Sequence, residues 1–275
     1  MKNIKRFSII AALLVLTLGI LTACGGGGNS GSEDKTIKVA ASPTPHAEIL
    51  NSIAESLAAD GWTLEVVEFD DYVQPNVATT DGDVDANYFQ HVPYLDQYNA
   101  ENGTDLVAVG NVHYEAMGAY KGQKDSFDAL AEGDKIGVPN DVTNEARALQ
   151  LLAANGVITL KDGVGLEATK TDIVDNPKNV EIVELEAATI PSALPDVALG
   201  VINANYALGA GLTTDDAVAY ESADSEAAET YVNVIVVNAG NENSEKTQAL
   251  VKAVQTDAVK DFILEKYNGA VQPKF

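Results

Sequence analysis

The chain has one cysteine, three histidines, one tryptophan and two arginines in 275 residues. With one cysteine, no intramolecular disulfide can form. The histidines, His46, His91 and His113, are widely separated and show no metal-ligand spacing, so no metal is expected. There is no GxSxG, P-loop, GxGxxG or HExxH, the short motifs that mark hydrolase, nucleotide and zinc-protease chemistry. Asp81, Asp83 and Asp85 in DGDVDAN lack the sixth-position glycine and closing glutamate of a calcium loop. Only 17 basic residues face 41 acidic ones, for a net charge of −24. Phosphate binding needs a basic patch, so nucleic acid is excluded as a partner.

What is present begins with MKNIKRFSIIAALLVLTLGILTAC. Lys2, Lys5 and Arg6 precede an uncharged apolar run from Phe7 to Leu21, the layout of a secretory signal peptide over residues 1–23. The run is shorter than the about 20 apolar residues that span a bilayer. Leu21-Thr22-Ala23-Cys24 looks like a lipobox, in which the Cys24 thiol is lipidated and becomes the mature N-terminus. The alternative is a spare buried thiol acting as a small hydrophobe. GGGGNSGSEDK follows, polar and glycine-rich, and residues 24–35 read as a flexible tether. Removing residues 1–23 takes away three positive charges and leaves −27. It also leaves Arg147 as the sole arginine.

The remaining body alternates strand-like and helix-like segments. Strands are expected at Thr36–Ala41, Thr63–Phe69, Leu106–Gly110, Lys135–Val138, Val180–Leu185, Val197–Ile202 and Tyr231–Val237. Helical spacing falls at Ala47–Ala59 and at about 89–100, 141–154, 244–254 and 257–267. This alternation predicts an α/β fold with mainly parallel sheets, and the length allows two lobes.

Two stretches carry candidate binding chemistry. In NDVTNEARALQLL, Asn140 or Asp141 caps a helix whose apolar stripe is Ala146, Leu149, Leu152 and Ala153. Arg147 lies off that stripe, three residues from Asn144 and near the helix N-terminus. The helix dipole there disfavours a cation, so an anion is expected against it. That anion is either an acidic side chain of the protein or a ligand carboxylate, which suits arginine's planar fork. In ANYFQHVPYLDQY, His91, Tyr94, Leu95 and Tyr98 fall at helical spacing, which fits a core stripe; with Tyr88 and Phe89 they also suit an aromatic pocket wall. His91 reads as a neutral hydrogen-bonding residue.

The longer pattern resembles the methionine-binding lipoproteins of bacterial ABC importers, the NlpA-type family. It is carried by KVAASPTPHAEIL (38–50), FDDYVQPNVA (69–78), GDVDANYFQHVPYLDQY (82–98), VAVGNVHY (107–114), VPNDVTNEARALQLL (138–152), LKDGVG (160–165), NPKNVEIVELEA (176–187), VINANYA (201–207) and YVNVIV (231–236). The resemblance implies a two-lobed periplasmic-binding-protein fold of the second type, with ligand in the cleft. Lobe I would be 36–119 plus 232–275 and lobe II 120–231, with crossovers near 119–121 and 230–233. It implies ligand contacts from Tyr72, Phe89, His91 and Tyr94 on the aromatic side, holding a thioether. On the polar side it implies Asn144, Arg147 on the α-carboxylate, and Asn203 and Asn233 on the ammonium.

It further implies methionine as ligand, an ABC permease and its ATPase as partners, lipid attachment at the extracytoplasmic face of the membrane, no cofactor and no catalysis. The segment ATIPSALPDVALG (188–200) departs from the family pattern, in which a basic residue and an acidic pair commonly precede the VIN strand. L-methionine, D-methionine and a methionine dipeptide all stay open as ligands. So does another small amino acid or, with a vestigial cleft, a protein partner.

Overall fold

The structure, a computed structural model, describes residues 35–222 and 226–275. The expected leader, Cys24 and all but the last residue of the tether lie outside the described residues.

The first lobe opens with strand β1 (Thr36–Ala41), short helices α1 (Glu48–Ser52) and α2 (Ala54–Ala59), β2 (Thr63–Glu68) and α3 (Gln74–Asp81). Strand β3 (Ala86–His91), α4 (Val92–Asn102) and β4 (Leu106–Glu115) follow. The chain then enters a second lobe with β5 (Gly118–Lys121), β6 (Lys135–Pro139), α5 (Val142–Ala154), a hairpin of β7 (Thr159–Leu160) and β8 (Ile173–Asp175), and β9 (Glu181–Leu185). It continues through α6 (Ile190–Ala193), β10 (Leu199–Ile202), α7 (Ala204–Gly209), β11 (Ala217–Tyr220) and α8 (Glu226–Thr230). It returns to the first lobe as β12 (Val232–Asn238), α9 (Glu245–Val254), α10 (Asp257–Tyr267) and β13 (Val271–Pro273).

Each lobe is built on its own sheet, in the orders β13-β4-β12-β3-β1-β2 and β11-β5-β10-β6-β9. The fold is the two-lobed α/β architecture that the resemblance implies. Ala116 and Met117 join β4 of the first sheet to β5, which pairs with β10 and β11 of the second. The sheets are mixed rather than mainly parallel. β1 with β2 and β3, and β6 with β9 and β10, are parallel; β12 is antiparallel to β3 and β4, and β5 to β10 and β11. The cause is the crossovers. A strand that has just crossed from the other lobe starts at the cleft and runs away from it, against neighbours that run toward it.

The helix expected from residue 89 begins at Val92 instead, with Pro93 in its first turn and His91 as N-cap. Residues 86–91 form a strand buried along its whole length. A strand covered on both faces shows no alternation, so its aromatic spacing does not separate strand from helix. The apolar run at Leu106–Gly110 continues to Glu115, carrying β4 to the cleft.

The lobe I core gathers Val39, Ile49, Leu50, Tyr88, Ile235 and Val237. The lobe II core gathers Ile136, Val138, Leu149, Leu152, Leu199 and Val201. Helix α5 is held by this second core, so Asn144 and Arg147 are fixed by the leucines on its opposite face. Leu149 is fully buried there. Leu149→Ala is expected to cost about 2–5 kcal/mol of stability, measured by urea unfolding. A change under about 1 kcal/mol would mean that α5 is not anchored as described.

Candidate functional site

A cavity with about 360 Å³ of non-atom space, open solvent at its mouth included, lies between the lobes. Tyr72, Phe89, His91, Tyr94, Asn144, Arg147, Asn203 and Asn233 all line it. They arrive from the loop before α3, the end of β3, the first turns of α4 and α5, the residue after β10, and the start of β12. Placement at the carboxyl ends of strands is usual for α/β ligand sites. The lobes meet across the cavity. Tyr72 Oη donates to Asn205 Oδ1 (2.6 Å), Tyr206 Oη donates to the Asp70 carbonyl (3.1 Å), and His91 Nε2 lies 3.3 Å from Asn144 Oδ1.

One side of the cavity is aromatic. The ring centroids of Tyr72, Phe89 and Tyr94 lie 5.9–6.0 Å from one another. Tyr94 Oη donates to the Tyr72 carbonyl at 2.9 Å, which locks the two rings together. Gln90, which also lines the cavity, forms a buried amide network with Asn76 and Asn87, its Nε2 donating to Asn76 Oδ1 (2.6 Å) and Asn87 Oδ1 (2.8 Å).

His91 is the hinge between wall and polar floor. Its Nδ1 accepts from the Tyr94 backbone N–H at 3.2 Å, so Nε2 carries the proton and faces Asn144 Oδ1. Burial, reinforced by the nearby Arg147 charge, lowers its pKa to about 3, and the ring is neutral at physiological pH. Asn144 Oδ1 also accepts from Asn203 Nδ2 at 2.8 Å, and Asn144 Nδ2 donates to the helix-capping Asp141 at 2.8 Å. Asn203 Oδ1 is buried with no hydrogen-bond partner among the described residues. It is an acceptor left open in the cavity wall.

Arg147 departs from its simplest expectation. Its planar fork holds a protein carboxylate: Nε donates to Glu221 Oε1 (2.7 Å) and Nη2 to Glu221 Oε2 (2.5 Å). Nη2 also donates to the Glu115 carbonyl at 2.7 Å. The guanidinium stacks 4.2 Å over the Tyr231 ring. Burial disfavours its charge, but Glu221 more than offsets this and raises its pKa. The hydrogen bonds that Arg147 makes to described residues come from Nε and Nη2, not from Nη1. A ligand carboxylate would meet this single nitrogen and not the fork.

Sequence reasoning missed His46, Glu115 and Asn205, which also line the cavity. Glu115 Oε1 lies 2.6 Å from His113 Nε2 and 3.3 Å from His46 Nε2, while His46 Nε2 lies 2.9 Å from Asn233 Oδ1. Tyr88 Oη hydrogen-bonds His113 Nδ1. Burial lowers His46 to about 4 and His113 to about 3, so both rings are neutral. Burial raises Glu115, against the opposing pull of His46, Arg147 and the Asn205 backbone N–H. His46, His113 and Glu115 are close enough to share a metal. With Tyr88 donating to His113 Nδ1, however, His113 Nε2 carries the proton given to Glu115. His46 Nε2, set between two acceptors, carries one as well. The three groups thus hydrogen-bond without a metal between them, while His46 Nδ1 is buried with no partner among the described residues. The missed residues left weak signals: Asn205 sits two positions after Asn203, and Glu115 ends a strand read as too short.

The departing segment 188–200 does not reach this cavity. Ala188, Pro191 and Ser192 line a separate depression, with Asn205 and Tyr206 between the two.

Residues 37–275 match the family model described as NlpA lipoprotein. The chain is 42% identical over 270 residues to the D-methionine-binding lipoprotein MetQ of Escherichia coli K12, covering 96% of each chain. Among solved structures, a putative lipoprotein from Ruminococcus gnavus is 60% identical with a TM-score of 0.86, covering 88% of this chain and 100% of that one. A nutrient binding protein from Burkholderia cenocepacia, bound to methionine, is 42% identical with a TM-score of 0.82, covering 87% and 100%. The match runs through both lobes and every element that lines the cavity, and this chain belongs to the NlpA lipoprotein family.

Proposed function

We propose that this protein is a lipid-anchored, extracytoplasmic substrate-binding protein that captures methionine for an ABC-type importer. The observation that carries the reading is the division of one cavity into an uncharged aromatic side and a polar side with groups for both ends of an amino acid. Tyr72, Phe89 and Tyr94 hold the thioether, whose sulfur gains roughly 0.3–1.5 kcal/mol against aromatic edges. Arg147 Nη1 takes the α-carboxylate. Asn203 Oδ1, unpartnered in the cavity wall, accepts from the ammonium, with Asn233 and Glu115 as neighbouring acceptors. The neutral histidines add no repelling charge to that ammonium. His91 and Asn144 join the two sides.

Catalysis is not part of this reading. No serine, threonine or cysteine lines the cavity among the described residues, and His91 already uses both ring nitrogens. The relatives at about 40% identity include proteins named for binding methionine.

Calorimetric titration of ligand-stripped protein with L-methionine, D-methionine and leucine tests the assignment. Saturable binding of a methionine enantiomer without leucine binding is expected; leucine binding as tight as methionine would refute the thioether pocket. Arg147→Ala is expected to weaken methionine binding about 10- to 150-fold, as loss of a hydrogen bond to a charged group costs roughly 1.5–3 kcal/mol. Unchanged affinity in that variant would remove Arg147 from the site.

The anchor has its own test. Cys24→Ser is expected to move the protein from the membrane fraction to the soluble fraction of fractionated cells. Retention in the membrane would show that Cys24 does not carry the lipid.

A further inference from the structure

Glu221 lies just after β11, where the chain leaves lobe II for the second crossover, and its side chain is 7% exposed. Its carboxylate accepts four hydrogen bonds. Two come from Arg147, one from Tyr114 Oη (2.9 Å) and one from the Met117 backbone N–H (2.9 Å). The Glu221 N–H in turn donates to the Met117 carbonyl at 3.0 Å. Tyr114 belongs to lobe I, Met117 to the first crossover and Arg147 to lobe II. One carboxylate therefore ties together both crossovers and the arginine of the cavity.

This arrangement fixes more than stability. An arginine side chain has several rotatable bonds, and an unrestrained guanidinium presents its donors in many directions. Glu221 occupies Nε and one N–H of Nη2, and the Glu115 carbonyl takes the other. With those positions held, the plane of the group is set and Nη1 points to one place. Donors held before the ligand arrives lose less freedom when it binds.

From these contacts we infer that Glu221 is a positioning residue for ligand recognition. By holding the fork of Arg147 against the crossovers, it aims Nη1 at the ligand carboxylate and sets the preference for a free acid over its neutral amide. The inference rests on the proposed role of Arg147 in carboxylate binding. Glu221 itself is not among the residues that line the cavity.

A comparison of L-methionine with L-methioninamide, which keeps the ammonium and thioether but has no carboxylate, separates positioning from structural support. The full chain is titrated in detergent with each ligand, as wild type, Arg147→Ala, Glu221→Gln and Glu221→Asp, and thermal melting reports folding. Wild type is expected to prefer the acid, and Arg147→Ala to lose that preference. If wild type binds both equally, the carboxylate reading of Arg147 fails, independently of Glu221. Glu221→Gln places an amide NH₂ against arginine donors and is expected to narrow the acid-to-amide affinity ratio tenfold or more while the protein stays folded. A ratio held, with both affinities reduced alike or unchanged, or a widened ratio overturns the inference. Should Glu221→Gln fail to fold, Glu221→Asp decides. It keeps the charge but is one methylene too short to reach Arg147 and Met117 together. An intermediate ratio is expected, and the wild-type ratio overturns the inference.

Discussion

A buried guanidinium needs an anion against it, and the pairing of Arg147 with Glu221 meets that need at the centre of this molecule. Arg147 is 4% exposed and stands in the second turn of α5, where the helix dipole opposes its charge. Removing one partner of such a pair typically costs about 3–5 kcal/mol, because the other charge is left stranded. Arginine is required by the geometry. Three acceptor atoms, two on Glu221 and the Glu115 carbonyl, lie around one planar group, and a lysine ammonium has no such fork. The cost of burying the charge is thereby met within the protein through Nε and Nη2 alone.

Around that pair the site keeps its formal charges apart from its apolar side. The aromatic wall is uncharged, and its tyrosine hydroxyls are occupied with the Tyr72 carbonyl and Asn205. All three histidines of the chain lie in or next to the site, and burial holds each of them neutral. Glu115 is the acidic group of the cavity wall, set between His46, His113 and the backbone of Asn205. The polarity of the cavity thus comes from a few oriented dipoles backed by second partners, and not from the net charge of −24 spread over the chain.

Much of this was legible in the sequence, for identifiable reasons. Thr36–Ala41 and the helices α5, α9 and α10 carry clean local periodicity and good caps, and fall within about a residue of expectation. Of the eight cavity residues, Phe89, His91, Tyr94, Asn144 and Arg147 stood out on local grounds, whereas Tyr72, Asn203 and Asn233 came from the family resemblance alone, which preserves position even where local signals are ambiguous. Tyr88 to His91 defeated periodicity because that strand is buried on both faces. The antiparallel members of each sheet were invisible because strand direction is set by the crossovers, a long-range feature. Glu221 could not be singled out at all. Nothing near residue 221 marks it among 41 acidic residues, and its partner is 74 positions away.

The crossovers also impose an order on assembly. Lobe II is one continuous stretch of chain between β4 and β12, whereas lobe I is made from two segments separated by it. The late segment is no edge addition: β12 sits between β3 and β4 and pairs with both. Until residues 232–238 are available, β3 and β4 have no strand to join them, and the first lobe has two incomplete pieces of a sheet. The second lobe has all of its strands in hand by Tyr220. Contacts of such wide sequence separation are slow to form. Followed from its N-terminus, the lobe that begins first is therefore the lobe that is completed last.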